Sequence, residues 1–98
     1  MCIAPAIVYS CPACVRWVRD TDQVVLVDEQ RHCSQVLRGD EAMLWDWLAL
    51  GYSYGTLLRQ SAAVWETPEQ EAACILAEYL ASWHQHGWLV ATPGDNNG

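Results

Sequence analysis

The sequence predicts one α+β domain, a three-stranded antiparallel sheet followed by three helices. Three observations predict it. Between Cys14 and Leu37, short β-rich segments alternate with polar turns. From Asp40 onward, apolar residues recur at helical spacing. Thr67-Pro68-Glu69-Gln70 then carries a helix start signal of its own. A run of strands followed by a run of helices argues for helices packed on one face of a small sheet.

Each element has its own justification. Residues 1–13 hold two prolines, two cysteines and no period, and read as an irregular N-terminal arm. Cys14 to Arg19 alternates imperfectly and is β-rich. Asp20-Thr21-Asp22 is turn chemistry, and Gln23 to Val27 is an apolar, β-branched strand. Asp28 to Arg31 is the next turn, and His32 to Leu37 is the third strand. Asp40 can cap a first helix carrying Met43, Leu44, Trp47, Leu48 and Leu50, with Gly51 just past its end. Ser53 can cap a second helix reaching about Val64, with Leu57 and Leu58 inside. In the third, Thr67 is the cap, Pro68 the first helical residue and Gln70 the capping-box partner. That helix runs to about His86 on a stripe of Ala72, Ala73, Leu76, Tyr79, Leu80 and Trp83, with Ile75 at its margin. Gly87 ends it, Trp88-Leu89-Val90 can fold back as an extended piece, and residues 91–98 read as a flexible tail. The short link between the last two helices fits a helix-turn-helix and the hairpin fits a wing, which makes the expected architecture a winged helix.

Composition narrows the function. The chain has 98 residues, enough for one core and too few for a two-lobed enzyme. It carries 12 acidic residues, five arginines and no lysine, a net charge of -7, which opposes phosphate binding. No run approaches the ~18 apolar residues of a membrane span. The N-terminus lacks a basic signal-peptide region, so the expected location is the cytoplasm. Six tryptophans without a phenylalanine suit a half-dry surface, with Trp17, Trp65 and Trp88 as candidate interface residues.

No nucleophile elbow, phosphate loop, zinc-protease motif or dinucleotide fingerprint is present, and no enzymatic activity or cofactor is expected. Asp28-Glu29 and Asp40-Glu41 sit where capping and solvation explain them. Cys11-Pro12-Ala13-Cys14 is a C-x-x-C pair, and Cys2, His32 and Cys33 could complete a zinc site, but a second close pair is missing. Cys11 and Cys14 are therefore weak metal candidates against a reading as free thiols. His84 and His86, two residues apart, fall on different helix faces and suit the helix dipole better than a shared metal.

Val24-Val25-Leu26-Val27-Asp28, then Val36-Leu37, then Trp45-Asp46-Trp47-Leu48-Ala49-Leu50-Gly51-Tyr52-Ser53 form a recognisable series. With Ala72, Cys74 and Ile75 to Leu80, and the ending His86-Gly87-Trp88-Leu89-Val90, it resembles the PqqD-like family over residues 14–90. These are the precursor-peptide recognition elements of ribosomally made, modified peptide pathways, lasso-peptide leader-binding proteins among them. One departure is Leu37-Arg38, where the family often has Leu-Asn. The cysteine-bearing arm has no placed counterpart.

The resemblance implies a non-catalytic adaptor that holds the leader of a precursor peptide and presents the peptide to a modifying enzyme. The leader would add as a strand beside the third strand and lie against the third helix. Carried onto this sequence, the strand positions are Cys33, Ser34, Gln35, Val36 and Leu37, and the helix positions are Ala73, Leu76, Ala77 and Leu80. Strand parity stays open, because a one-residue slip inverts it. The helix stripe has a plainer reading as domain core. Two other functions compete. One is a winged-helix DNA-binding regulator, opposed by Glu66, Glu69, Glu71 and Glu78 around a third helix without Arg or Lys. The other is a dimerisation or zinc-binding interaction module. The expected partners are the leader peptide and its pathway enzyme, with a homodimer open and no nucleic acid or membrane.

Overall fold

The structure is a computed structural model that describes residues 6–92. Its elements are β1 (Val8–Ser10), β2 (Val15–Asp20), β3 (Gln23–Asp28), β4 (Cys33–Arg38), α1 (Asp40–Ala49), α2 (Tyr54–Trp65), α3 (Glu69–Gln85) and β5 (Val90–Thr92). The α+β prediction holds: β2, β3 and β4 form an antiparallel sheet in that order, and three helices follow.

The register fixes which residues face the helices. Val15, Trp17 and Arg19 pair with Asp28, Leu26 and Val24, which in turn pair with Cys33, Gln35 and Leu37. This parity is the core face, since Val24, Leu26 and Leu37 are fully buried. The opposite parity, with Val18, Val25, Val27 and Val36, faces away from the helices.

The strand-ending Asp28 has a local structural job. It is buried, and its Oδ1 accepts hydrogen bonds from the backbone N–H of Gln30 at 2.9 Å and of Arg31 at 3.1 Å. A carboxylate folded back on its own chain in this way builds the turn into β4.

Two expectations at the chain ends change. Val8–Ser10, expected in the irregular arm, pairs antiparallel with Val90–Thr92. Ala91 and Thr92, expected in the tail, are therefore strand residues. The reason is an alignment no local window contains: Trp88 and Leu89 are buried, which returns the chain end to Tyr9. Residues 1–5 of the expected arm, with Cys2, and residues 93–98 of the expected tail lie outside the described residues.

Helix boundaries shift slightly. Ser53 caps α2 as expected, its Oγ accepting from the Thr56 N–H. Gly51 adopts the left-handed conformation past α1, at φ 87. The first residue of α1 is Asp40 itself, and Gly39 is its cap. At α3 the cap position is Pro68, and Thr67 bonds to the Glu71 side chain at 2.8 Å in place of a capping box with Gln70.

The core is organised on Trp45, which the apolar spacing of the sequence had passed over for Trp47. Trp45 is 1% exposed and meets Trp17 of β2 and Trp83 of α3 edge to face, at centroid distances of 6.3 and 5.5 Å. Trp47 lies at the margin, stacked on Tyr52. Leu50, expected on the apolar stripe, is exposed. Among the described residues, no helix is long and apolar enough to cross a membrane.

Candidate functional site

β4 is an edge strand; among the described residues it pairs with β3 alone. An unpaired edge presents main-chain donors and acceptors that another extended segment can use. The opposite edge, β2, is guarded by charge: Arg16 pairs with Glu29 at 3.0 Å, and Arg19 pairs with Asp46 of α1. Along Cys33–Leu37 there is no charge and no proline.

Two hydrogen bonds set the end of α3 beside the start and middle of β4. Arg31, in the turn before β4, donates to the His86 carbonyl at 2.8 Å. The Trp88 indole N–H donates to Gln35 Oε1, also at 2.8 Å. Earlier on α3, burial foremost, then Glu41, Asp40 and Glu78, pushes the Tyr79 phenol pKa up. The end of α3 therefore lies beside the turn that enters β4.

At about 100° per residue, two flanks of α3 border the buried stripe of Ala72, Leu76, Leu80 and Trp83. Ile75, Tyr79, Ser82 and His86 share one flank, and the His86 carbonyl at its end accepts from Arg31 in the turn before β4. Ala73, Ala77, Ala81 and His84 share the other. Ala77, Ala81 and His84 there line a 360 Å³ groove with Tyr9, Leu80 and Ala91, beside the β1–β5 ribbon.

The residues expected to form one site are thus divided. Cys33, Ser34, Gln35 and Val36 do lie on the open edge strand, with Gln35 turned inward and Ser34 and Val36 outward. Leu37 is fully buried core. Leu76 and Leu80 are 0% and 3% exposed, so their bulk is spent on the core rather than offered to a ligand. Ala73 is half-buried and Ala77 exposed, on the flank away from β4. The spacing of Ile75, Tyr79, Ser82 and His86 is visible in the sequence. Choosing that flank over the alanine flank requires knowing that the chain end returns to β1.

The remaining candidates separate as well. Cys11, Cys14 and Cys33 are free thiols, and burial pushes the Cys11 pKa up. Among the described residues, no three His, Cys, Asp or Glu side chains are grouped to hold a metal. Glu66, Glu69, Glu71 and Glu78 are all exposed, which keeps phosphate repulsion at the surface of α3. Of the tryptophans expected at an interface, Trp17 is 39% exposed, Trp65 is half-buried and Trp88 is buried.

The chain matches no family model, no curated protein and no solved structure.

Proposed function

We propose that this chain is a non-catalytic adaptor that binds the leader segment of a ribosomally synthesised precursor peptide and presents the peptide to a modifying enzyme. The observation that carries the reading is the open β4 edge, uncharged from Cys33 to Leu37, with the end of α3 bonded beside it. Strand addition there supplies affinity through main-chain hydrogen bonds, and the Ile75, Tyr79, Ser82 and His86 flank supplies a wall against which side chains set register. Glu41, Asp40 and Glu78 each raise the Tyr79 phenol, which marks negative potential there and favours a leader with a basic residue at that end. The PqqD-like resemblance supports the same reading, with the wall moved from the alanine flank to the tyrosine flank. The cellular setting that fits this role is the cytoplasm.

Proline scanning of the strand tests the proposal. Backbone N–H groups alternate sides along a strand, so of Gln35→Pro and Val36→Pro one breaks the β3 ladder and the other removes a donor only from the open edge. Calorimetry with the short peptide encoded beside this gene should show that the variant retaining the fold loses binding. Full affinity in that variant, or no binding by the unaltered protein, overturns strand addition at β4.

A further inference from the structure

The face of the sheet turned away from the helices has a pattern the peptide reading does not use. Its residues form three cross-strand rows: Arg16–Val27–Ser34, Val18–Val25–Val36 and Asp20–Gln23–Arg38. The central row is all valine, and Val18, Val36 and Val27 are 59%, 42% and 39% exposed. Arg16, Trp17, Val18, Val25 and Val27 border a shallow hollow of 140 Å³ between β2 and β3. An exposed apolar patch ringed by polar residues is the usual mark of an interface.

The charge pattern names the occupant. Arg16 and Asp20 stand one row to either side of Val18 on β2, with opposite signs. Rotation by 180° about an axis along the valine row stacks that row on its own copy and sets Arg16 of each chain over Asp20 of the other. The same rotation sets Val27 over Gln23 and Ser34 over Arg38, so no like charges meet within the three rows. Arg16 also holds Glu29 of its own chain at 3.0 Å, an exposed pair whose guanidinium the Asp20 of the other copy would share. The face also carries two of the chain's five arginines, and its net charge differs from the -7 of the whole. It is therefore a place where two acidic copies can approach.

We infer that two copies of this chain associate face to face through the outer valine rows of β2, β3 and β4, with reciprocal Arg16–Asp20 pairs. Sheets packed in this way sit about 10 Å apart with strands nearly aligned. Three strands of six residues offer a face of only about 14 by 20 Å, so the dimer is weak and concentration-dependent. It uses the face of the sheet and leaves the β4 edge open, so it stands independently of peptide binding.

Sedimentation velocity from micromolar to millimolar protein tests it. The unaltered chain should shift toward dimer with concentration, and Val18→Lys should remain monomeric with an unchanged thermal midpoint. Asp20→Arg should weaken the dimer roughly tenfold by setting two arginine pairs in opposition, and Arg16→Asp combined with Asp20→Arg should recover it. A monomer throughout, or a dimer that Val18→Lys leaves intact, overturns the interface. A double variant no tighter than Asp20→Arg alone overturns its register.

Discussion

The Trp88 indole N–H donates to Gln35 Oε1 across 53 positions of sequence, at 2.8 Å. This bond joins the end of α3 to the middle of the open strand, and it holds a buried indole whose polar atom needs an acceptor. Replacing Gln35 by Leu or Trp88 by Phe should each cost about 1 kcal/mol, with Gln35→Leu the worse because it orphans the buried N–H. In a double-mutant cycle by urea unfolding, the pair should cost less than the sum of the singles.

Leu76 and Leu80 belong to the core, so truncation should act on stability first. Leu76→Ala should lower the unfolding free energy by about 2–5 kcal/mol, and Leu80→Ala should fall in the same range. Tyr79→Ala should instead weaken peptide binding while costing less stability, because Tyr79 is half-buried. Denaturant midpoints together with peptide titration of the three variants separate the roles.

Gly87 adopts φ 81, and a Cβ there would lie 2.9 Å from Nη1 of Arg31. Gly87→Ala should cost about 1 kcal/mol from the left-handed backbone. It should also displace the guanidinium that bonds to the His86 carbonyl. Adding Arg31→Ala should relieve the crowding and leave the backbone cost in place, as read by thermal unfolding of the single and double variants.

The folded state holds two phenols above the ordinary tyrosine value. For Tyr9 the causes are burial and then Tyr54; for Tyr79 they are burial and then Glu41, Asp40 and Glu78. A raised folded pKa means that the neutral phenol is favoured by folding. Its contribution is complete below about pH 10, where the unfolded phenol begins to ionise, and is lost as pH climbs through the folded value. Urea midpoints should therefore fall above that pH, and Tyr79→Phe should flatten the fall.

The local chemistry of this sequence determined its elements. Polar turns divided the β-rich stretch into strands placed within a residue of their observed limits, Ser53 capped α2, and Gly51 and Gly87 took positive φ where helices ended. Asp28 could be named as a turn residue from its neighbours alone, because the N–H groups its carboxylate accepts from lie within three positions of it. These features depend on contacts a short window contains.

Everything that required distant segments to meet was decided by the tertiary structure. Strand parity needed a register fixed by burial of Val24, Leu26 and Leu37, since hydrogen bonding alone tolerates either face. The return of Val90–Thr92 to Val8–Ser10 paired a segment legible as extended only as far as Val90 with one that carries no local strand signal. That pairing set the alanine flank of α3 beside the β1–β5 ribbon, as one wall of a groove. Trp45 became the centre of the core through Trp17 and Trp83, which flank it in space and lie far from it in sequence. Helical spacing determines which residues share a face, but the partner that buries that face is set by how the whole chain packs.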